Sequence, residues 1–135
     1  MQGELHQYNI TANLAKKYSH ATYLAYPTSE PERQVVLMVF TSSLFSSPHE
    51  REEVLQKAQR IKELQHPHLL PILDMGIDKG QPFIVRDYLP NKTLRSRLKQ
   101  LSPQRLALRD ALTIALQVGE ALAYAHQHNN PSWQY

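Results

Sequence analysis

Histidine is the residue type in this sequence that could most readily bind a metal ion, because the chain has seven histidines and no cysteine. Without cysteine it has neither a disulfide framework nor a thiolate zinc site. His66 and His68 lie in the turn HPHLLP, and His126 and His128 lie two residues apart in a predicted helix, so that pair does not share a face. We therefore expect ordinary polar histidines and no metal site.

Composition and charge describe one ordinary domain. The formal charge of +3 comes from 15 basic and 12 acidic residues spread along 135 residues. No long block of lysine and arginine is present, so we expect no nucleic-acid partner. The amino terminus has no apolar signal core and no run is long enough to cross a bilayer, so we expect no membrane contact and a cytoplasmic location.

Short apolar runs bounded by turn residues predict the strands. Residues 8–25 read as two strands joined by a polar turn, and residues 35–40 as a strand covered on both faces. Residues 69–76 and 82–89 read as a hairpin that turns at Asp78, Lys79 and Gly80.

Helix signals lie between and after these strands. Ser47 is a good N-cap, Pro48 suits the first helical position, and Glu50 completes a capping box. A short helix is predicted near residues 93–101 and a longer one over 108–128. The apolar stripe of the first helix is Val54, Leu55, Ala58, Ile61 and Leu64. One face of the last helix is Leu108, Ala111, Leu112, Ala115, Val118, Leu122 and Ala125.

Five segments carry motifs in a specific order and spacing. They are YLA at 23–25, QVVLMVF at 34–40, LQHPHLLPILDMG at 64–76, QPFIVRDYLPNKTL at 81–94 and ALAYAH at 121–126. Together they resemble the amino-terminal lobe of a bacterial Ser/Thr protein kinase. The resemblance implies an α+β fold: a five-stranded antiparallel sheet with one large helix, then a hinge and the first two helices of the second lobe.

The resemblance also implies a division of the chain. Residues 1–7 would be an amino-terminal tail and residues 8–89 the kinase-like lobe with its hinge. Residues 90–130 would be the first helices of a truncated second lobe, and 131–135 a tail.

In that family a glycine-rich loop covers the ATP phosphates, and a lysine on the third strand contacts them. The loop position here reads LAKKYSHAT and has no glycine, with Ala15 and Lys17 in the loop and Thr22 where the family has the valine over the adenine. The strand motif V-A-I-K becomes V-V-L-M. Met38 therefore stands at the lysine position as a core methionine, and Val36 stands at the small alanine, where it would crowd the base.

The family lysine pairs with a glutamate on the large helix, and that position is Lys57 in this sequence. The ion pair would therefore become methionine opposite lysine. We expect Lys57 to be a solvated side chain paired with Glu53, one turn earlier.

The hinge would be Asp87, Tyr88 and Leu89, with Arg86 just before it, where the family has an apolar residue. Burying an unpaired arginine is costly. We expect Arg86 to point outward or to meet a carboxylate, and Glu53 and Asp87 are the candidates.

The carboxyl end departs from the family as well. Ser132, Trp133 and Gln134 stand where the family has His-Arg-Asp, whose aspartate is the catalytic base. No catalytic asparagine, Asp-Phe-Gly motif or activation loop is recognisable.

These departures predict a truncated kinase-like domain that is not an enzyme, a pseudokinase-like fragment acting, if at all, through protein contact. We expect no cofactor, with MgATP poorly bound. The expected partner is a protein or a second copy, docked on the exposed last helix at Leu112, Ala115, Leu116 and Leu122.

Two alternatives stay open. The chain could be a kinase remnant with no activity of its own. It could instead be the ATP-binding half of a Ser/Thr kinase completed by another chain, with Lys16 or Lys17 replacing the missing lysine.

Overall fold

The computed structural model describes residues 5–41, 47–90, 93–101, 103 and 105–128, and these residues form two compact units. The first unit contains the described residues up to 65 together with 70–88. The second contains 66–69 and the described residues from 89 onward.

The first unit is built on a five-stranded antiparallel sheet in the order β1-β2-β3-β5-β4, as the resemblance implies. A 3₁₀ turn at Leu5–Gln7 precedes the sheet. The strands are β1 Tyr8–Lys16, β2 His20–Pro27, β3 Val35–Phe40, β4 Asp74–Asp78 and β5 Gln81–Asp87.

The fourth strand begins later than the sequence pattern indicates. The predicted start at residue 69 is wrong, because β4 begins at Asp74. Pro71 explains the difference, since proline has no N–H to donate to a sheet ladder. The hairpin prediction is confirmed, because Lys79 at φ 50° and Gly80 at φ 79° form a two-residue turn with Asp78 paired to Gln81.

The sheet has a core on each face. One core consists of Ala25, Val35, Leu37, Phe83 and Val85, all at most 1% exposed. The other face packs against helix α1, Pro48–Lys62, through Leu55, Ala58 and Met75. The predicted N-cap is confirmed, since the Ser47 hydroxyl accepts a hydrogen bond from the Glu50 amide at 3.3 Å.

The second unit contains helix α2, Leu94–Gln100, and helix α3, Leu108–Gln127. Arg97 on α2 pairs with Asp110 on α3 at 3.3 Å. Residues 66–69 pack on α3 as well, where the rings of His66 and Tyr124 lie 5.1 Å apart. Within the described part of the chain, no helix is long and apolar enough to cross a membrane.

Candidate functional site

The register of the sheet brings three of the predicted nucleotide-site residues, Ala15, Thr22 and Met38, into one row on one face. Residues directly opposite each other on paired strands point to the same side. Ala15 pairs with Thr22, and Thr22 with Met38. Met38 pairs with Ile84, which pairs with Met75. These five side chains form one row across all five strands, hereafter the uncharged row.

The next row on the same face contains Val36 and Arg86. Val36 is 6% exposed and lies directly opposite Arg86, which is half-buried. Among the described residues Arg86 has no hydrogen-bond or ion-pair partner. The two candidate carboxylates bind elsewhere, because Glu53 pairs with His49 at 3.5 Å and Asp87 accepts two hydrogen bonds from Arg33, both at 3.1 Å.

Helix α1 packs on the Met75 end of the uncharged row and exposes Lys57 to solvent. The predicted Lys57–Glu53 pair is wrong, because Glu53 pairs with His49, one turn before it rather than one turn after it. Lys57 makes no ion pair with any described residue. No carboxylate therefore faces the Met38 position from this helix position.

The loop position of the resemblance is a tight β1–β2 turn. The Lys17 amide donates to the His20 carbonyl oxygen at 2.8 Å, which leaves Tyr18 and Ser19 at the tip. The Thr41 hydroxyl donates to the Tyr18 carbonyl oxygen at 3.1 Å and holds the tip to the end of β3. None of these tip residues has a positive φ, so the turn does not require glycine.

The pairing across this turn determines the face on which Lys17 stands. Lys17 lies opposite His20, and His20 lies opposite Phe40, whose ring is 6.0 Å from the imidazole. Side chains alternate along a strand, so this row is on the same face as Met38, one row closer to the tip. Lys17 is therefore the cation that the register brings nearest to the Met38 side of the sheet at this turn.

The predicted hinge residues lie at the end of β5. Asp87 ends the strand, and its hydrogen bonds raise the pKa of Arg33. The Tyr88 amide donates to the Gln34 carbonyl oxygen at 3.2 Å. The division between the two units falls directly after Tyr88, and Leu89 is 48% exposed.

The opposite face of the sheet holds an interaction that sequence reasoning missed. The Tyr8 hydroxyl donates to the Asp74 carboxylate at 2.7 Å, across 66 residues of sequence. Burial, followed by this hydrogen bond, raises the pKa of Tyr8. The pair borders a cavity of about 230 Å³ whose floor includes Val35 and Val85. No local motif signals a contact between residues so distant in sequence.

Three histidines gather around Tyr124 in the second unit. His66 lies 5.5 Å from His68 and 5.1 Å from Tyr124, and His128 lies 4.1 Å from Tyr124, measured between ring centroids. His68 also approaches Glu120 at 3.7 Å. Within the described ranges, no three histidine or carboxylate side chains come together as a metal site would require.

Ser132, Trp133 and Gln134, the positions that correspond to the catalytic loop, lie outside the described residues.

Comparison with known proteins agrees with this architecture. The family model for protein tyrosine and serine/threonine kinases matches residues 16–130. The chain belongs to this family. The serine/threonine-protein kinase PknE of Mycobacterium bovis is 34% identical over 95 residues, which cover 70% of this chain and 16% of PknE. Wall-associated receptor kinase-like 14 of Arabidopsis thaliana is 32% identical over 80 residues, covering 59% of this chain and 11% of that protein.

Solved kinase structures match the fold as well. The PknI kinase domain of Mycobacterium tuberculosis superposes with a TM-score of 0.73 at 26% identity, covering 90% of this chain and 49% of that one. The chain therefore spans about half of that domain and a small part of the curated relatives.

These relatives confirm the predicted family and fold and contradict one prediction. The prediction that the chain is not an enzyme is wrong as drawn from the sequence, because the proteins it matches are Ser/Thr protein kinases. That inference rested on departures at individual motif positions, such as Met38 and Lys57, and on unrecognisable catalytic motifs, whereas the family match runs through residues 16–130.

Proposed function

We propose that this chain is a kinase-family module that acts through protein contact and holds MgATP weakly. The observation that supports weak binding of MgATP is the uncharged row, in which Met38 stands at the position of the phosphate-binding lysine. A thioether has neither a charge nor a proton to donate to a phosphate oxygen. Phosphate binding depends on positioned cations and amides, and this row supplies no cation.

The helix side supports the same proposal. A lysine on β3 would need a carboxylate on α1 to orient it, and Lys57 brings a second positive charge instead. Residue 38 is uncharged where the family has a lysine, and residue 57 is positive where the family has a glutamate. The adenine side is altered as well, because Val36 is larger than the family alanine and Arg86 stands beside it on the next strand.

A second candidate function is that of the ATP-binding half of a Ser/Thr kinase, and the position of Lys17 favours it. Lys17 lies two strands and one row away from Met38 on the same face. Standard sheet spacings make that roughly 12 Å between Cα atoms. The flexible side chain of a lysine can cross much of this distance, so Lys17 could contact a phosphate held over the row.

Thermal unfolding in the presence of nucleotide separates the two candidates. A ligand that binds only the folded state raises the melting temperature by mass action. We expect no shift at millimolar ATP, with or without magnesium. A saturable, magnesium-dependent shift that disappears in Lys17→Met, but persists in the neighbouring control Lys16→Met, would replace the first candidate with the second.

A further inference from the structure

The connection between β2 and β3 is a short segment built from two successive turns over residues 28–34. The Glu30 amide donates to the Pro27 carbonyl oxygen, and the Arg33 amide donates to the Glu30 carbonyl oxygen, both at 3.0 Å. Pro31 is the second residue of the second turn, where proline is favoured because its ring presets the backbone φ. The turns therefore hold the backbone of Arg33 in place without the help of its side chain.

The start of this segment is attached to the first strand. The Thr28 amide donates to the Gln7 carbonyl oxygen at 2.8 Å, and the side-chain amide of Asn9 donates to the Thr28 hydroxyl at 3.0 Å. Exposed ion pairs usually contribute little, because mobile groups must first be fixed in one geometry. Since the backbone of Arg33 is already fixed, less conformational entropy is lost when its side chain binds a partner.

The side chain of Arg33 binds the last residue of β5. Its Nε and one terminal nitrogen both donate to Asp87 Oδ1 at 3.1 Å, and its other terminal nitrogen lies 3.5 Å from a Glu30 carboxylate oxygen. Hydrogen bonds between charged groups are stronger than those between neutral ones. The Arg33 and Asp87 side chains are 41% and 37% exposed, so solvent weakens the pair without removing it. This contact joins the β2–β3 segment to the end of β5.

The residue after Asp87 is attached to the same segment. The Tyr88 amide donates to the Gln34 carbonyl oxygen at 3.2 Å, which extends the β3–β5 ladder by one bond. In an antiparallel ladder every second residue donates to the neighbouring strand, so the next donor would be residue 90. Residue 90 is a proline, which has no N–H. The ladder therefore ends at Tyr88.

We propose that the β2–β3 segment clamps the first two hinge residues to the first unit, so that movement between the two units begins at Leu89. The residues of this hinge clamp are Arg33, Gln34, Asp87 and Tyr88. The division between the units falls at the same place, directly after Tyr88. Arg33 is a positioning residue in the hinge clamp, because it acts on the Tyr88 bond through Asp87. The inference goes beyond the proposed function, since it requires neither a nucleotide nor a partner protein.

Amide hydrogen exchange on the full chain tests the hinge clamp through the Tyr88 bond. Arg33→Met removes both hydrogen bonds to Asp87 and keeps most of the aliphatic side chain. We expect the Tyr88 amide to exchange about fivefold faster in this variant, because the ion pair no longer opposes local opening. The Leu73 amide, which donates to the Val85 carbonyl oxygen at 2.8 Å in the same unit, should keep its wild-type rate.

Further variants separate the Asp87 contact of Arg33 from its other contact. Asp87→Ala should accelerate exchange of the Tyr88 amide as Arg33→Met does, and combining the two changes should add little to either one. Glu30→Gln is the matched control, because it removes the second carboxylate beside Arg33 and leaves the Asp87 pair. The Tyr88 amide should keep its wild-type rate in that control. Arg33→Lys, which keeps the charge but not the planar fork of donors, should give an intermediate rate.

An unchanged Tyr88 amide in Arg33→Met overturns the proposal. So does equal acceleration of the Tyr88 and Leu73 amides, because Arg33 would then support the whole first unit rather than the hinge. Acceleration in Glu30→Gln as large as in Arg33→Met also overturns it, since the Asp87 contact would not be what holds the hinge. No nucleotide is present in these measurements, so their outcome is independent of the ATP titration.

Discussion

Met38 and Lys57 stand at the two positions where the family has a lysine–glutamate ion pair, and neither residue carries the family's charge. Met38 lies half-exposed within the uncharged row, and Lys57 is exposed on the helix that packs on that face. A lysine introduced at residue 38 would find no carboxylate at residue 57, because that residue is itself a lysine. We therefore expect a lysine at residue 38 to be better tolerated when residue 57 is a glutamate.

We predict that Met38→Lys lowers the free energy of unfolding, and that Met38→Lys with Lys57→Glu recovers part of the loss. The expected coupling in a double-mutant cycle is about 1 kcal/mol, because the pair is partly solvated. Urea unfolding of the four proteins measures it. A coupling of zero would mean that the α1 position does not face residue 38.

Tyr8 predicts how stability depends on alkaline pH. Burial and the hydrogen bond to Asp74 raise its pKa above the ordinary value, so the folded state favours the neutral phenol. Stability from a raised pKa is complete below the unfolded pKa and is lost as the pH rises above it. The free energy of unfolding should therefore fall above a pH of about 10.

Tyr8→Phe is the control for this prediction. At neutral pH it should cost about 1 kcal/mol, since Asp74 loses one hydrogen-bond donor. Its alkaline loss of stability should be shallower than that of the wild type. Parallel pH profiles for the two proteins would show that another group is responsible.

At the scale of elements, replacing two glycines by alanine should change stability in opposite directions, because one has a backbone conformation that favours glycine and the other is helical. Gly80 has φ +79° in the β4–β5 turn, whereas Gly119 is helical and has open space around it. Gly80→Ala should destabilise the chain by about 1 kcal/mol, because L residues rarely adopt that φ. Gly119→Ala should stabilise α3 by up to about 1 kcal/mol. Thermal unfolding of both variants would contradict this account if the two changes had the same sign.

The elements also show how far the sequence alone leads. Local signals were sufficient for Ser47 as N-cap and for the Lys79–Gly80 turn, because each acts within four residues. The start of β4 was missed because an apolar run does not reveal where Pro71 interrupts pairing.

Side-chain contacts between distant residues could not be predicted from local sequence patterns. The sequence predicted Lys57 as the partner of Glu53, four residues after it, whereas the structure pairs Glu53 with His49, four residues before it. The Tyr8–Asp74 contact joins residues with no shared motif. The rows of the candidate site could be foreseen only through the family resemblance, since strand order and register are tertiary properties.

At the scale of the whole molecule, charge is distributed less evenly than the total of +3 indicates. Six basic residues and no acidic residue lie between positions 92 and 109, so the positive surplus belongs to the part of the chain around α2. The expectation of charge spread along the chain is therefore wrong. The two units differ in character, one a mixed-charge sheet unit and the other a basic helical one.

The central claim is that the uncharged row of this kinase-family chain supplies no cation for phosphate, and comparing adenosine with MgATP tests it most directly. Calorimetric titration of the wild type should give dissociation constants that agree within about threefold, because phosphates gain nothing from the uncharged row. MgATP binding tighter than adenosine by about tenfold or more would contradict the claim. It would show that a phosphate-binding cation is present, with Lys17 as the first residue to replace.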